Sequence, residues 1–323
     1  MPLLSVTDLN VSFHTPRGML DAVRHVDLVV PAGASVGIVG ESGSGKTVMS
    51  RAAMGLLQGS NVRRSGTVIF DDHELTELNR IQVREYFGTG MAMIFQDPMT
   101  ALNPVRRIGS QISEGLRVRL GMDKRKAMTR SEELLSLVRI PDPKKTLHKF
   151  PYQLSGGMRQ RVMIAISIAC NPKLLFADEP TTALDVTVQA QILQLLGDLR
   201  RELGMAMVLV THDLGVVAGN TDFVAVMYAG EIVEQAPTKK LFALMRMPYT
   251  EALLKSIPKI DTPSGKRLQV IEGRLPDPTD RPLGCSFAAR CMYVQPKCLA
   301  EHPPLTDDGD GHLYRCWFPL GTK

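Results

Sequence analysis

The sequence lacks an apolar run long enough to cross a bilayer. Its apolar stretches, such as residues 163–170 and 205–210, fall far short of the roughly 20 residues that a membrane helix needs. The N-terminal segment MPLLSVTDLNVSF also lacks the charged start and apolar centre of a signal peptide. We therefore expect a cytosolic protein whose contact with a membrane comes through partner proteins.

The chain also lacks a one-sided charge distribution. Its 38 basic residues are scattered among 33 acidic ones, for a net charge of +5 and a pI of about 9.0. Because no basic stripe stands out, we expect no nucleic-acid partner. A small positive charge suits an anionic nucleotide or an anionic membrane surface. The 323 residues, 44% of them hydrophobic, are enough for one large domain or two smaller ones.

The most informative motif is the segment GESGSGKT at residues 40–47, which fits the phosphate-binding pattern G-x-x-x-x-G-K-[ST]. In this pattern backbone N–H groups cradle phosphate oxygens, the lysine neutralises the β- and γ-phosphates, and the last hydroxyl binds Mg²⁺. An apolar run precedes it and a helical pattern follows, which is the strand–loop–helix order that anion binding at a helix N-terminus needs. The residues predicted to bind the nucleotide here are Gly40, Glu41, Ser42, Gly43, Ser44, Gly45, Lys46, Thr47 and Val48.

Short apolar runs alternate with helical patterns along much of the chain. Strands are predicted at residues 36–39, 68–70, 91–95, 174–177, 207–210 and 223–227. This alternation predicts an α/β fold with a largely parallel sheet covered by helices. Leucine and isoleucine recur at helical spacing in residues 192–203, which predicts one amphipathic helix with its stripe in the core. The phosphate-binding motif occurs once, so we expect one nucleotide domain, at residues 1–257.

Two segments interrupt this alternation. The first is rich in charge and helix formers, and it predicts an inserted helical subdomain at about residues 97–165. The second, residues 258–323, is rich in proline, glycine and cysteine and has little periodicity. It predicts a separate, irregular, Cys-rich C-terminal module that is small enough to need a metal ion or disulfides for stability.

An apolar strand that ends in two acids, LLFADEP, lies at residues 174–180. Asp178 is placed to hold Mg²⁺ directly or through water, and Glu179 to orient or deprotonate an attacking water. The alternative is a strand that ends in an ordinary acidic turn. Upstream, LSGGMRQR precedes an apolar helix, where Ser155 is a candidate N-cap and Gly156 and Gly157 leave N–H groups open for a phosphate. Alone, Ser-Gly-Gly is a common loop sequence.

These motifs occur in a recognisable order, with Asp185 in TTALD and His212 in VTHD after them. With them the chain resembles the ATP-binding subunit of ABC transporters, over about residues 4–254. The resemblance implies a P-loop NTPase fold with a RecA-like parallel sheet core, an antiparallel β subdomain and an inserted helical subdomain. It also implies that ATP bound to one P-loop meets the LSGG segment of a second subunit, so that ATP joins two domains and hydrolysis releases them.

The resemblance assigns the remaining site residues. Phe13 would stack on adenine, the alternative being a core aromatic of the first strand. Gln96 would touch Mg²⁺ and the attacking water and sense the transmembrane partner, and His212 would contact the γ-phosphate and stabilise the transition state. Ser155, Gly156 and Gly157 would bind the γ-phosphate held by the opposite subunit, and Asp185 would communicate across the dimer. The catalytic set is then Glu179, His212 and Gln96.

The last part of the chain carries four of its five cysteines, Cys285, Cys291, Cys298 and Cys316. Their spacing is not that of a CxxC zinc site, and structural zinc, an iron–sulfur cluster or free thiols all remain open. Disulfides are disfavoured in a reducing compartment. In the zinc hypothesis His302 and His312 could be ligands, but we expect both to be solvated loop residues. Cys170 is expected to be a small buried hydrophobe.

This C-terminal segment, residues 258–323 and called the tail below, also resembles a known family, through GCSFAARC, the later cysteines and the preceding LPDP. This is the C-terminal extension of oligopeptide/dipeptide importer ATPases, some of which hold a [4Fe–4S] cluster on four such cysteines. The resemblance therefore favours a cluster over zinc. The segment ACNPKLLFADEPTTALDVTVQAQIL resembles the D-type member of the D/F pair of these importers.

This second resemblance implies the partners and the cargo. The partners would be an F-type ATPase, two transmembrane permease subunits and an extracytoplasmic binding protein, with the chain at the cytoplasmic face of the membrane. It would dock on the permease near Gln96 and the helical insertion. The cargo would be di- or oligopeptides, although relatives carry nickel, glutathione, opines or sugars. The competing hypotheses are a soluble ABC ATPase that powers macromolecular or iron–sulfur assembly, and a non-hydrolysing nucleotide sensor.

Overall fold

The structure is a computed structural model that describes residues 2–182, 184–257 and 271–321, without the side chains of residues 98 and 99. The strands are β1 (Pro2–Thr15), β2 (Gly18–Pro31), β3 (Ser35–Val39), β4 (Val62–Phe70), β5 (His73–Glu74), β6 (Met91–Ile94), β7 (Leu174–Asp178), β8 (Ala206–Thr211), β9 (Phe223–Tyr228), β10 (Glu231–Pro237), β11 (Thr306–Asp307) and β12 (Leu313–Tyr314). The helices are α1 (Lys46–Ala53), α2 (Arg80–Val83), α3 (Pro98–Ala101), α4 (Ile108–Leu120), α5 (Lys124–Leu137), α6 (Pro143–Thr146), α7 (Gly156–Ile168), α8 (Val186–Leu203), α9 (Leu214–Ala218), α10 (Thr238–Ala243), α11 (Pro248–Lys255) and α12 (Pro296–Ala300).

The chain divides into two compact units. The first is built from segments Met1–Pro31, Ser35–Arg80 and Leu209–Lys323, and the second from Ala32–Ala34 and Ile81–Val208. β8 continues from the second unit into the first along the chain. In the described part of the chain, none of the helices combines the length and the apolarity that a membrane-spanning segment needs.

The first unit contains a four-stranded antiparallel sheet in the order β2-β1-β4-β5. Its strands follow the period of two that a half-buried sheet requires. In β2, Val26, Leu28 and Val30 are buried, while Asp27 and Val29 between them are exposed. The buried face of this sheet forms one wall of the core of the first unit.

The first unit also holds strands in the order β11-β12-β10-β9-β3. β3 and β9 are parallel, and all five residues of β3 are buried, as expected for a parallel strand covered on both faces. β9 and β10 form an antiparallel hairpin, whose two-residue turn at Ala229 and Gly230 has positive φ at both positions. β12 pairs with β10, with Glu234 opposite Tyr314. The tail therefore adds strands to the sheet that carries β3.

The second unit has a parallel pair, β6 and β7, and the helices α3–α7 lie between these strands in the sequence. Helices α4, α5 and α7 pack against one another. α8 follows β7, and its stripe Ile192, Leu195, Leu196 and Leu199 is buried. Of the residues predicted for that stripe, Leu203 alone is only partly buried.

The structure confirms the six predicted strands and the amphipathic helix. The strand predicted at residues 68–70 is the end of a longer antiparallel strand, β4. The separate Cys-rich module is not supported, because the tail extends the sheet of the first unit through the β10–β12 pair. The predicted boundaries at residues 97, 165 and 257 stay predictions, and residues 258–270 lie outside the described part of the chain.

Candidate nucleotide site

The phosphate-binding loop connects β3 to α1 in the first unit. Two of its glycines are required by close backbone approach. A Cβ on Gly40 would lie 2.1 Å from the carbonyl oxygen of Met227 in β9, and one on Gly45 would lie 2.5 Å from that of Ala22 in β2. Gly45 also has φ of 100°, a conformation that other residues rarely adopt. The loop is therefore pressed between two strands, and α1 begins directly after it at Lys46.

Lys46 folds back over this loop. Its Nζ donates hydrogen bonds to the carbonyl oxygens of Gly40 at 2.8 Å and Glu41 at 2.9 Å, and the residue is only 5% exposed. The loop is braced further by the N–H of Ser44, which donates to the Glu41 carbonyl at 3.1 Å. These contacts place the ammonium group beside the N-terminus of α1, where backbone N–H groups and the helix dipole both favour an anion.

Two residues far from the motif also hold the loop, and the sequence analysis singled out neither of them. The N–H of Glu41 donates to the hydroxyl of Tyr249 at 2.9 Å, across 208 residues of sequence. The Glu41 carboxylate pairs with both terminal nitrogens of Arg290, across 249 residues. Arg290 lies within the GCSFAARC segment, but its pairing with Glu41 could not be predicted there, because such distant pairings depend on the fold rather than on local sequence.

In the second unit, the structure brings Glu179 and Gln96 together. Gln96 Nε2 donates to Glu179 Oε2 at 2.9 Å, and the hydroxyl of Thr182, which the sequence did not single out, donates to the same oxygen at 2.9 Å. Glu179 has φ of 45°, a left-handed conformation that is unusual for this residue type and is frequently found at functional sites. Asp178, at the end of β7, is fully buried. Its carboxylate is a hard oxygen donor of the kind that Mg²⁺ prefers.

The LSGG segment opens α7 in the second unit. Ser155 caps this helix, its Oγ accepting a hydrogen bond from the N–H of Met158 at 3.4 Å, which confirms the predicted N-cap. Gly156 and Gly157 are the first two helical residues. Asp185 caps α8 in the same way, through the N–H of Val188 at 3.0 Å. The capping contact gives Asp185 a structural role besides the predicted role between subunits.

Two predicted site residues, Phe13 and His212, lie in the first unit. Phe13 lies in β1 opposite Leu20 and Val62 and is partly exposed, which does not favour the alternative of a core aromatic. His212 directly follows β8 and is exposed. Their roles toward adenine and the γ-phosphate stay predictions.

Comparison with known proteins identifies the family. Residues 23–182 match the ABC transporter family, and residues 233–298 match the oligopeptide/dipeptide transporter C-terminal region. The oligopeptide transport ATP-binding protein OppD of Haemophilus influenzae is 45% identical over 316 residues, which cover 98% of this chain and 97% of that protein. The chain belongs to the ABC transporter ATP-binding family. Both predicted resemblances are thereby confirmed.

Other members of the ABC family give the same result. The dipeptide transport ATP-binding protein DppD of Escherichia coli K12 is 46% identical over 320 residues, which cover 99% of this chain and 98% of that protein. Among solved structures, the dimeric ATP-binding cassette MJ0796 in a post-hydrolysis state with ADP and phosphate is similar, with a TM-score of 0.66 and 26% identity. The match covers 73% of this chain and 98% of the MJ0796 chain. This match confirms the P-loop ABC fold.

The four tail cysteines of this ABC chain line one small pocket, together with Phe287 and Trp317. None of the five cysteines forms a disulfide. Burial raises the pKa of Cys285 and of Cys316 to about 11, and it also raises the pKa of Cys291. However, no three His, Cys, Asp or Glu side chains in residues 2–182, 184–257 and 271–321 are arranged to hold a metal ion. The predicted cluster ligation is therefore not supported by the geometry. Cys170 is buried, as predicted.

Both tail histidines pair with glutamates of β10; the prediction of a solvated loop residue was wrong for His312, whereas His302 is a partly exposed loop residue. His312 is fully buried, and its Nε2 lies 2.7 Å from Oε1 of the equally buried Glu234. His302 Nε2 lies 3.1 Å from Oε2 of Glu231. The reason is that β10 carries two carboxylates into the interior, where each needs hydrogen-bond partners. The glutamates are remote in sequence, so periodicity within the tail did not reveal them.

Proposed function

We propose that this chain binds and hydrolyses ATP as the energy-coupling subunit of an ABC importer for di- or oligopeptides. The observation that carries hydrolysis is the hydrogen bond between Gln96 and Glu179, because it joins the two side chains that would handle the attacking water. The cargo class is supported by the match of the tail and by relatives named for peptide transport.

The first unit would bind the nucleotide. Lys46 and the N–H groups at the start of α1 would contact the phosphates, the hydroxyl of Thr47 would ligate Mg²⁺, and Phe13 would stack on adenine. The buried position of Lys46 supports this role, because an ammonium group with little access to water attracts phosphate more strongly than an exposed one. His212 would stabilise the charge that develops on the γ-phosphate.

Asp178, Glu179 and Gln96 would act on the metal and on water. Mg²⁺, held by Asp178 with Gln96, would neutralise charge on the phosphates. Glu179 would accept the proton of the attacking water, and Gln96 and Thr182 orient its carboxylate through Oε2. Ser155, Gly156 and Gly157 would bind the γ-phosphate of the opposite subunit, and Asp185 would lie at that interface.

The partners follow from the same family assignment. We infer a second ABC ATPase subunit of the F type, two permease subunits that span the membrane, and an extracytoplasmic binding protein. The chain would then act at the cytoplasmic face of the membrane as a peripheral subunit. Support comes from relatives that match almost the whole chain, tail included.

The test has two parts. The tagged chain would be extracted from native membranes in mild detergent, and its partners identified by mass spectrometry. Two permeases and a second ATPase are expected. Recovery with assembly factors and no permease would refute the importer and favour an assembly ATPase. ATP turnover is then compared in Glu179→Gln and in Glu202→Gln, a matched change at an exposed position of α8. ATP turnover should be lost in Glu179→Gln and retained in Glu202→Gln.

We separately propose that the four tail cysteines hold a [4Fe–4S] cluster. The support is chemical: four soft thiolates suit such a cluster, and all four line one pocket, although their side chains would have to rearrange to ligate it. Anaerobic purification should give a coloured protein with iron and acid-labile sulfide, and a serine at any of the four positions should abolish both. Cys170→Ser is the matched control, because Cys170 lies outside the pocket. One zinc per chain, or no metal, would contradict the cluster.

A further inference from the structure

The tail carries an arginine whose side chain is saturated with hydrogen bonds. Arg290 Nη1 donates to Glu41 Oε2 at 2.6 Å and to the hydroxyl of Tyr228 at 3.4 Å. Its Nη2 donates to Glu41 Oε1 at 2.9 Å and to the carbonyl of Ile271 at 3.0 Å, and its Nε donates to that of Glu272 at 2.9 Å. All five N–H donors of the guanidinium therefore have an acceptor.

This contact is a charge pair with little access to water. The side chain of Arg290 is 5% exposed, and that of Glu41 is 28% exposed. The hydrogen bonds that Arg290 donates to Glu41 raise the pKa of Arg290 above its already high value, so the guanidinium stays charged. Bidentate arginine–carboxylate pairs are both strong and directional. The pair therefore fixes the position of Glu41, and it also neutralises a carboxylate beside a loop built to receive phosphates.

Glu41 transmits this position to the phosphate-binding loop. Its carbonyl oxygen accepts from Lys46 Nζ and from the N–H of Ser44, while its own N–H donates to the hydroxyl of Tyr249. A shift of the Glu41 backbone would therefore move one of the two carbonyls that orient the Lys46 ammonium. The tail therefore acts on that backbone through its contact with the Glu41 side chain.

The tail also reaches this loop indirectly, through aromatic rings. Phe287 packs against Tyr249 and Tyr228, with ring centroids 5.3 Å away from each, and those two tyrosine rings lie 4.5 Å apart. All three residues are buried. Phe287 thus supports the ring whose hydroxyl accepts from the Glu41 N–H. The tail therefore holds Glu41 from two sides, through its carboxylate and through its amide.

We propose that Arg290 is a positioning residue for ATP, which clamps Glu41 and so fixes the carbonyl that orients Lys46. The inference rests on the proposed ATP binding at residues 40–47 and adds a determinant that lies outside the nucleotide-binding motifs. The nucleotide affinity of this chain then depends on how its tail is seated. A purely structural arginine would hold the tail in place and leave the affinity for ATP unchanged.

The test measures ATP affinity by calorimetry, with Mg²⁺ and the full-length chain, together with KM and kcat. Arg290→Lys keeps the charge but cannot form the bidentate contact, and Arg290→Met removes both the charge and the contact. We expect ATP to bind about tenfold more weakly to the methionine variant, with KM raised and kcat changed much less, and the lysine variant to lie between it and the wild type. The Glu41→Gln/Arg290→Met double variant should lose less than the sum of the single losses.

A control separates loop positioning from tail docking. Asp308 pairs with Lys240 at 3.2 Å, a charged contact of the tail that does not involve the loop. Asp308→Asn should leave ATP affinity unchanged, while Trp317 fluorescence reports whether the tail is seated in each variant. If Arg290→Met does not fold, Arg290→Lys decides.

Unchanged ATP affinity in the Arg290 variants with a seated tail, or an equal loss in Asp308→Asn, would overturn the inference alone. Absence of permeases from the membrane extract would overturn the importer and leave the Arg290 result standing. A wild-type chain that does not bind ATP would overturn both.

Discussion

The buried pair between His312 and Glu234 should contribute measurably to holding the tail in place. Both side chains are inaccessible to water, and the Nε2–Oε1 distance is 2.7 Å. In His312→Leu, a change of similar volume, Glu234 keeps two donors, the N–H groups of Arg246 and Met247. Leaving a buried polar group without a hydrogen-bond partner costs about 1–3 kcal/mol, and because Glu234 keeps two donors we expect this change to cost about 2 kcal/mol.

The assay follows from the composition of the chain. Trp317 is its only tryptophan and lies in the tail, so its fluorescence in urea reports unfolding of this region. The free energy of that transition is obtained by linear extrapolation. His302→Leu is the matched control, since the His302 side chain is 31% exposed and its pair with Glu231 should contribute about 1 kcal/mol or less.

A double-mutant cycle with Glu234→Gln then isolates the interaction between the two side chains. A coupling energy above about 1 kcal/mol is expected for buried partners in direct contact. The reasoning would be refuted if His312→Leu cost no more than His302→Leu, or if the coupling energy were within error of zero. Either result would mean that the two backbone N–H groups alone satisfy Glu234.

Three further predictions concern the site and its pH dependence. Glu179→Gln should lower ATP turnover by about 10²-fold or more while ATP binding, measured by calorimetry, is retained. Gly45→Ala should abolish ATP binding because a Cβ would collide with backbone, whereas Gly204→Ala, at an open helix end, should cost only about 1 kcal/mol in urea unfolding and retain ATP binding. Burial opposes ionisation of Glu231, but His302 and nearby arginines outweigh it and lower the pKa below 4.5. The ionised carboxylate therefore stabilises the fold above that pH, and the urea midpoint of the wild type should fall more steeply below it than that of Glu231→Gln.

The sequence predicted those parts of the fold that depend on local pattern. A fully buried strand such as β3 is a continuous apolar run, and α8 shows its helical stripe directly. The phosphate-binding loop was also predictable, because its glycines are required by backbone contacts that any such loop makes. The Ser155 cap belongs to the same class, since a cap involves only residues three apart.

What the sequence did not predict depends on contacts between distant segments. β11 and β12 have two residues each, too few for a period, and they exist because β10 offers an edge. The partners of His312 and Arg290 lie 78 and 249 residues away. The left-handed backbone of Glu179 is likewise set by its surroundings, since the residue type itself disfavours it.

The tail adds only two short strands to the sheet, yet it belongs to the unit that carries the phosphate-binding loop. Its contacts with that loop give a reason. The turn between β9 and β10 touches the phosphate-binding loop directly, because the N–H of Gly230 donates to the Ser44 carbonyl at 2.9 Å. Arg281 of the tail donates to the carbonyl of Ala229 in that same turn, and β12 lies along β10. The tail therefore supports the loop through the hairpin as well as through Arg290. A change that unseats the tail should disturb the phosphate-binding loop through both the hairpin and Arg290. Arg290→Lys disturbs only the contact through Arg290. This substitution is therefore more informative than removal of the tail.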